Sequence, residues 1–349
     1  MNNIKTPKPL RYIASLDGLR AIAVLLVMLI HANFKLGVNG GVGVSVFFAL
    51  SGFLITTLLL EEYNKNRDIS FKGFYIRRTM RLFPPLYVML GFVLIYAYFF
   101  RSGTDQQIIF QDIISSALYV YNIAWYWGWC AKEILLYHTW SLGVEEQFYL
   151  LWPLILYFFI RKNKIKILQV VLLLFISATF ILKTADHFPY LAGSIIKESI
   201  FLGCATALLR WTGLFKSVSS FLSFLFLIII LTIGIMPYKF TSTEMVFNFC
   251  SILSCLIILH LAENKESIVS KILSNKSMVF IGKISYSLYL WHLPVFRVFA
   301  YHSTLSPIVS FAGKFILSFI LAITSWYTIE KVTTAYGRSV SKKITERSV

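Results

Sequence analysis

The apolar residues of this chain gather into ten blocks of roughly twenty residues, at 14–34, 43–62, 83–100, 141–160, 167–183, 192–210, 218–236, 245–262, 279–301 and 308–330. That is the length a helix needs to cross a hydrocarbon core. Within lipid, every backbone N–H and C=O must be satisfied inside its own segment, so blocks of this kind fold as helices. Only 14% of residues are charged and 57% are hydrophobic, where soluble domains run at about a quarter charged. The pattern predicts an all-α polytopic membrane protein, a bundle of about ten transmembrane helices. Residues 106–128 are also apolar, but an extra span there would carry the basic run Arg161–Lys166 to the opposite side. The segment is therefore expected to be interfacial or re-entrant on the outer face, with Trp125, Trp127 and Trp129 at headgroup level.

A net charge of +17 raises nucleic acid as a partner, but its distribution excludes that reading. Lysines and arginines concentrate at the N-terminus, in 65–81, in 161–166, in 265–283 and after 330. These all fall on one side of a ten-span chain, as the positive-inside rule requires. Both termini are expected in the cytoplasm, with a membrane domain over 1–335 and a basic cytoplasmic tail over 336–349. The four cysteines show no paired spacing and read as small core residues. Walker, dinucleotide-glycine and HExxH patterns are all missing, so no metal is expected.

Ionisable groups inside the spans carry the functional signal, because lipid penalises them unless they face the bundle interior. Arg20 and His31 bracket the first span. Eleven residues of helix return to nearly the same face, roughly 16 Å along the axis. Arg77, Arg78 and Arg81 lie within five residues, ahead of Pro84–Pro85. They are expected on a short amphipathic helix, with the prolines at the first turn of the next helix. Such a cluster suits multidentate phosphate binding, although taken alone it reads first as an ordinary positive-inside flank. Glu145 and Glu146 open the fourth span beside His138, Trp140, Ser141 and Tyr149. His292 sits in the ninth span behind Ser285, Tyr286, Ser287 and Tyr289. The small residues of 40–56 are sufficiently explained by helix packing.

Taken in chain order, Arg20 and His31, VFFALSGFLIT, RRTMRLFPP, HTWSLGVEEQFYLLWP, ISYSLYLWHLPV and YTIEK resemble the acyltransferase-3 family of integral membrane acyltransferases. That family includes O-acetyltransferases of bacterial surface polysaccharides. The resemblance is to the stand-alone type, without a fused hydrolase-like domain. It departs at Ser45, where relatives often carry an acidic residue in a GVDxFF stretch.

The resemblance implies acetyl-CoA, or another acyl-CoA, as a cytoplasmic donor. The implied acceptor is a hydroxyl of a surface or lipid-linked glycan such as lipopolysaccharide O-antigen, and the implied setting is the bacterial inner membrane. A hydroxyl needs a base with a pKa near neutrality, which suits His31. Glu145 or Glu146 would orient the imidazole and stabilise its cation. Arg20, Arg77, Arg78 and Arg81 would hold the CoA phosphates. Trp140, Ser141, Tyr149 and His292 are candidates for contact with substrate. The rival expectation is a transporter or flippase with a buried Arg/His/Glu pathway. No inverted repeat or pair of matching broken helices supports it.

Overall fold

A computed structural model describes residues 10, 12–32, 41–130, 135–184, 196–215, 217–236, 244–303 and 306–347. The helices are α1 (Ala14–His31), α2 (Gly41–Asn66), α3 (Phe71–Phe100), α4 (Gly103–Ala117), α5 (Tyr121–Tyr126), α6 (Thr139–Arg161), α7 (Ile165–Thr184), α8 (Glu198–Thr212), α9 (Ser220–Ile235), α10 (Glu244–Glu263), α11 (Ile268–Leu273), α12 (Lys276–Lys283), α13 (Ser285–His302) and α14 (Pro307–Ser325). A π-helical turn, Trp326–Glu330, then leads into α15 (Lys331–Arg347). Among the described residues the chain is all-α, as its membrane-length apolar blocks predict. Six stretches, in α1, α2, α3, α7, α10 and the run Pro307–Thr345, are long and apolar enough to cross a membrane. The protein is thus a multi-pass membrane protein. Residues 33–40 and 185–195, which include parts of the first and sixth expected spans, lie outside the described residues. The ninth expected span, 279–301, is broken at Ile284, between α12 and α13.

The chain divides into two compact units. The first contains residues 1–69 and 148–283. Its core joins Leu19, Ile22, Ala23 and Leu26 of α1 to Val46, Ala49, Leu50 and Phe53 of α2 and to Ile257, Ile258 and Leu261 of α10. Glycines set the closest approaches. Gly52 of α2 faces the Ile200 carbonyl of α8, and Gly203 of α8 faces the Ala49 carbonyl of α2. A β-carbon at either position would collide with backbone, which is the small-residue packing expected of 40–56. Trp152 donates its indole N–H to Thr56 Oγ1 at 2.8 Å and fixes the latter part of α6 on α2.

The second unit contains residues 70–147 and 284–349. Ser70 caps α3 by accepting the Gly73 N–H at 3.3 Å. The arginine run and the two prolines then share this one helix, since Pro84 and Pro85 lie inside α3. This corrects the expectation of a separate amphipathic helix with the prolines opening the next. A proline's φ suits a helix, and what it removes is one hydrogen bond to the preceding turn. Packing holds that turn regardless. Arg77 donates to Ser341 of α15, Gly337 of α15 backs onto Met80, and Tyr286 donates to the Leu82 carbonyl at 2.6 Å.

The 106–128 segment divides into α4 and α5. Tyr119, at φ +55°, turns the chain between them. α4 has 15 residues and α5 has 6, and neither matches the roughly 20 needed to span.

Candidate functional site

The first turns of α6 carry the motif that the sequence marks out, and most of its residues have an identifiable structural task. Ser141 Oγ and Tyr289 Oη of α13 lie 2.6 Å apart. Both hydroxyls also lie within hydrogen-bond range of the His138 carbonyl, at 3.1 and 3.0 Å, so the three oxygens share the two protons. The His138 imidazole reaches the Leu290 carbonyl through Nε2 at 3.2 Å. His292 returns Nδ1 to the Tyr289 carbonyl at 2.7 Å. The rings of His138, Tyr289 and His292 form a triangle, with centroids 5.2–5.5 Å apart. Ser141 and His292 are thereby brought into one buried cluster in the second unit.

On the other side of α6, Gly143 and Gln147 meet the α4–α5 turn. A β-carbon at Gly143 would lie 2.6 Å from Asn122 Oδ1 and 2.9 Å from the Tyr119 carbonyl. Gln147 and Asn122 exchange amide hydrogen bonds at 3.1 and 3.0 Å, and Gln147 also donates to the Tyr119 carbonyl at 3.1 Å. The 106–128 segment therefore acts as a brace for the start of α6. In low-dielectric surroundings such fully matched amide pairs fix orientation.

Between these two braced faces lie Glu145 and Glu146. Glu146 is in the electrostatic field of Glu145, its like charge, and of Arg78, its opposite. Tyr286 lies in the field of Tyr119, Glu146 and Glu330. Ser287 donates to Glu330 Oε2 at 2.8 Å, and Glu330 is buried in the π-helical turn. Single π turns recur at functional sites. The second unit thus gathers Arg78, Glu145, Glu146, Tyr119, Tyr286, Ser287 and Glu330 around one half-buried polar zone. Arg78 also stacks on Phe74, its guanidinium carbon 5.8 Å from the ring centroid.

The remaining candidates are placed as follows. Arg77 and Arg81 are half-buried on α3, and Arg77 is tied to α15 through Ser341. Trp140 is half-buried on α6. In the first unit, Arg20 and His31 are both partly buried on α1. Arg20 contacts Asp17 at 3.5 Å, one turn earlier, and Tyr12 donates to the other Asp17 oxygen at 2.7 Å. Tyr149 is buried beside Phe148.

Sequence reading did not select Asp17, Asn122, Tyr289 or Glu330. Asp17 has a local signal, its i,i+3 spacing to Arg20. Tyr289 and Glu330 lie within the ISYSLYLWHLPV and YTIEK motifs, but their partners, like that of Asn122, are far away in sequence, so no local pattern reveals what they contact. Among the described residues no group of three His, Cys, Asp or Glu side chains converges as a metal site.

A multi-helix chain with this ordered set of polar motifs is the architecture of a membrane acyltransferase, and the comparisons agree. A family profile described as an acyltransferase domain matches residues 13–327. The chain belongs to that family, the acyltransferase-3 family. It is similar to the peptidoglycan O-acetyltransferase OatA of Listeria monocytogenes, at 32% identity over 351 residues, covering 93% of this chain and 54% of the relative. It is also similar to the O-acetyltransferase OatA of Staphylococcus aureus, at 31% identity over 352 residues, covering 92% of this chain and 57% of the relative. The chain spans about half the length of the curated relatives it matches. No solved structure is significantly similar to it.

Proposed function

We propose that this protein transfers an acetyl group from acetyl-CoA to a hydroxyl of a bacterial surface glycan. The observation that carries the reading is the pair Glu145 and Glu146, held beside Arg78 on a helix braced on both faces, in a chain of the acyltransferase-3 family. His31 is the base. Its imidazole takes the proton of the acceptor hydroxyl as the oxygen attacks the thioester carbonyl. The C–S bond breaks, and the CoA thiolate leaves and takes up a proton. One of the two glutamates stabilises the imidazolium during the transfer. The arginines of α3 hold the donor phosphates, which remain in hydrated surroundings while only the neutral pantetheine arm enters the protein.

The acceptor follows the relatives. The Listeria protein is named for peptidoglycan, which favours peptidoglycan over lipopolysaccharide O-antigen, and the setting is the bacterial cytoplasmic membrane. Two measurements test this. Protein in sealed, oriented vesicles should consume acetyl-CoA supplied on the cytoplasmic side and acetylate a glycan supplied on the other. Mass spectrometry of peptidoglycan from cells with and without the protein should differ by O-acetyl groups. If neither acetyl-CoA consumption nor glycan acetylation depends on the protein, the transport reading takes its place.

A further inference from the structure

Where α10 ends and α9 and α11 begin, the first unit holds a polar cavity of about 590 Å³, with Ser217, Val218, Ser220, His260, Asn264 and Ser267 in its lining. Its volume falls in the range of small-ligand pockets, about 300–1,000 Å³. His260 of α10 is only 2% exposed, and both of its ring nitrogens are engaged. Nδ1 lies 2.8 Å from the Val218 carbonyl, and Nε2 lies 2.9 Å from Ser267 Oγ. A carbonyl can only accept, so Nδ1 carries the proton and the neutral ring leaves Nε2 bare. The Asn264 amide also stands 3.3 Å from Nδ1, but its hydrogen bond to Ser217 Oγ is the shorter, at 2.6 Å.

Ser267 is half-buried, and its one proton has two acceptors in reach, Nε2 and, at 3.0 Å, Ser270 Oγ. Ser270 gives its own proton to the Asn264 carbonyl at 2.6 Å. With Nε2 bare, the Ser267 hydroxyl donates to it. With Nε2 protonated, the ring donates back and Ser267 turns to Ser270. The cluster thus takes up an extra proton without leaving the ring or either hydroxyl unsatisfied. One lone pair of Ser267 Oγ accepts the Ser270 N–H at 3.2 Å, which leaves the other for attack. A hydroxyl bonded to an imidazole whose far nitrogen is fixed by an acceptor is the arrangement of nucleophile, base and orienting group. A static tie between helix ends needs neither the cavity nor the second proton position. The orienting group here is a carbonyl, because Glu263, which also lines the cavity, is bound by Arg210 at 2.6 Å.

We infer that Ser267 and His260 form an esterase dyad that acts on short-chain carboxylic esters and thioesters. Ser267 Oγ bonds to the acyl carbon while its proton passes to Nε2, and the departing alkoxide or thiolate takes that proton. Water then attacks the acyl-serine and gives its proton to Nε2. The acid leaves as the C–Oγ bond breaks and Ser267 recovers the proton. Ser220 opens α9 and lines the same cavity. First-turn N–H groups find no acceptor inside their own helix, and they suit a carbonyl oxygen turning negative. The polar lining favours a short acyl group over a long hydrocarbon chain. The dyad uses none of the residues of the acetyl-transfer reading and stands or falls independently of it.

A fluorophosphonate tests the dyad on the purified full chain in detergent, since its phosphorus bonds to an activated serine oxygen and fluoride leaves. Peptide mass spectrometry should find the adduct on Ser267 in the folded protein and not in heat-unfolded protein. His260→Gln, which offers no basic nitrogen, should slow labelling of Ser267 by about 10²–10⁴-fold, the usual contribution of a general base. With p-nitrophenyl acetate the parent should release a burst of p-nitrophenol that Ser267→Ala lacks. If His260→Gln does not fold, the folded and unfolded parent still decide. An unmodified Ser267 in the folded protein, or equal labelling of folded and unfolded chains, overturns the proposal. So does an unchanged labelling rate in a folded His260→Gln, which would leave His260 as a tie between helix ends.

Discussion

His31 is the residue on which the proposed chemistry turns, because its imidazole has the right proton affinity to activate a hydroxyl at neutral pH. His31→Gln keeps polarity and nearly the volume but offers no basic nitrogen. Acetyl transfer by this variant should fall by about 10²–10⁴-fold, the usual contribution of a general base, with insertion and Tm unchanged. Glu146 has Arg78 as its electrostatic counterpart and Glu145 as its like neighbour, so the three behave as a coupled set. Glu146→Gln is expected to lower kcat with little change in KM for acetyl-CoA, Arg81→Ala should chiefly raise KM, and Arg78→Ala, which serves both the carboxylate and the donor phosphates, should lower kcat and raise KM together. Steady-state kinetics on the three variants checks this. A rise in KM alone for Glu146→Gln would move that carboxylate into the donor site. Arg77 has a further task, since its bond to Ser341 ties α3 to α15.

At the scale of the element, the start of α6 matters most. Gly143 is required because the 119–122 turn lies where its side chain would be. Gly143→Ala forces that turn away and should destabilise the protein by about 1–3 kcal/mol, as overpacking does. It should also lower activity by displacing Glu145 and Glu146. A thermal melt and an activity assay on the same preparation separate the two effects. Trp152→Phe removes the donor that Thr56 Oγ1 accepts, and a melt should show a loss of about 1–3 kcal/mol. The π turn at Trp326–Glu330 carries Glu330 into contact with Ser287. YTIEK is recognisable as a motif, but the π geometry and the Ser287 partner depend on α13 lying alongside.

At the scale of the whole molecule, orientation is the testable property. The described cysteines Cys130, Cys204, Cys250 and Cys255 are all buried. Burial pushes the Cys130 thiol up to about 12, so at neutral pH it holds almost no thiolate and should not react with a maleimide. That leaves a quiet background for introduced cysteines. Ser102 precedes α4 and Asn163 follows α6, and both are exposed. In intact cells an impermeant maleimide should label Ser102→Cys but label Asn163→Cys only after permeabilisation. The reverse pattern would invert the topology and place the arginines of α3 away from cytoplasmic CoA.

Hydropathy along the chain was enough to establish the membrane class, the helical fold and the order of the polar motifs, because lipid constrains each segment separately. The family, and with it Arg20, His31 and the glutamate pair as candidates, was legible for the same reason: each motif is local. Tertiary structure alone decided what depends on residues far apart in sequence. It ran the arginines and Pro84–Pro85 through one continuous α3, because packing on α15 outweighs the hydrogen bonds that proline removes. It turned the apolar 106–128 segment into a brace through Asn122 and Gln147. It also set Tyr289 and Glu330 among the motif residues, since a buried polar side chain must find a partner wherever the fold supplies one.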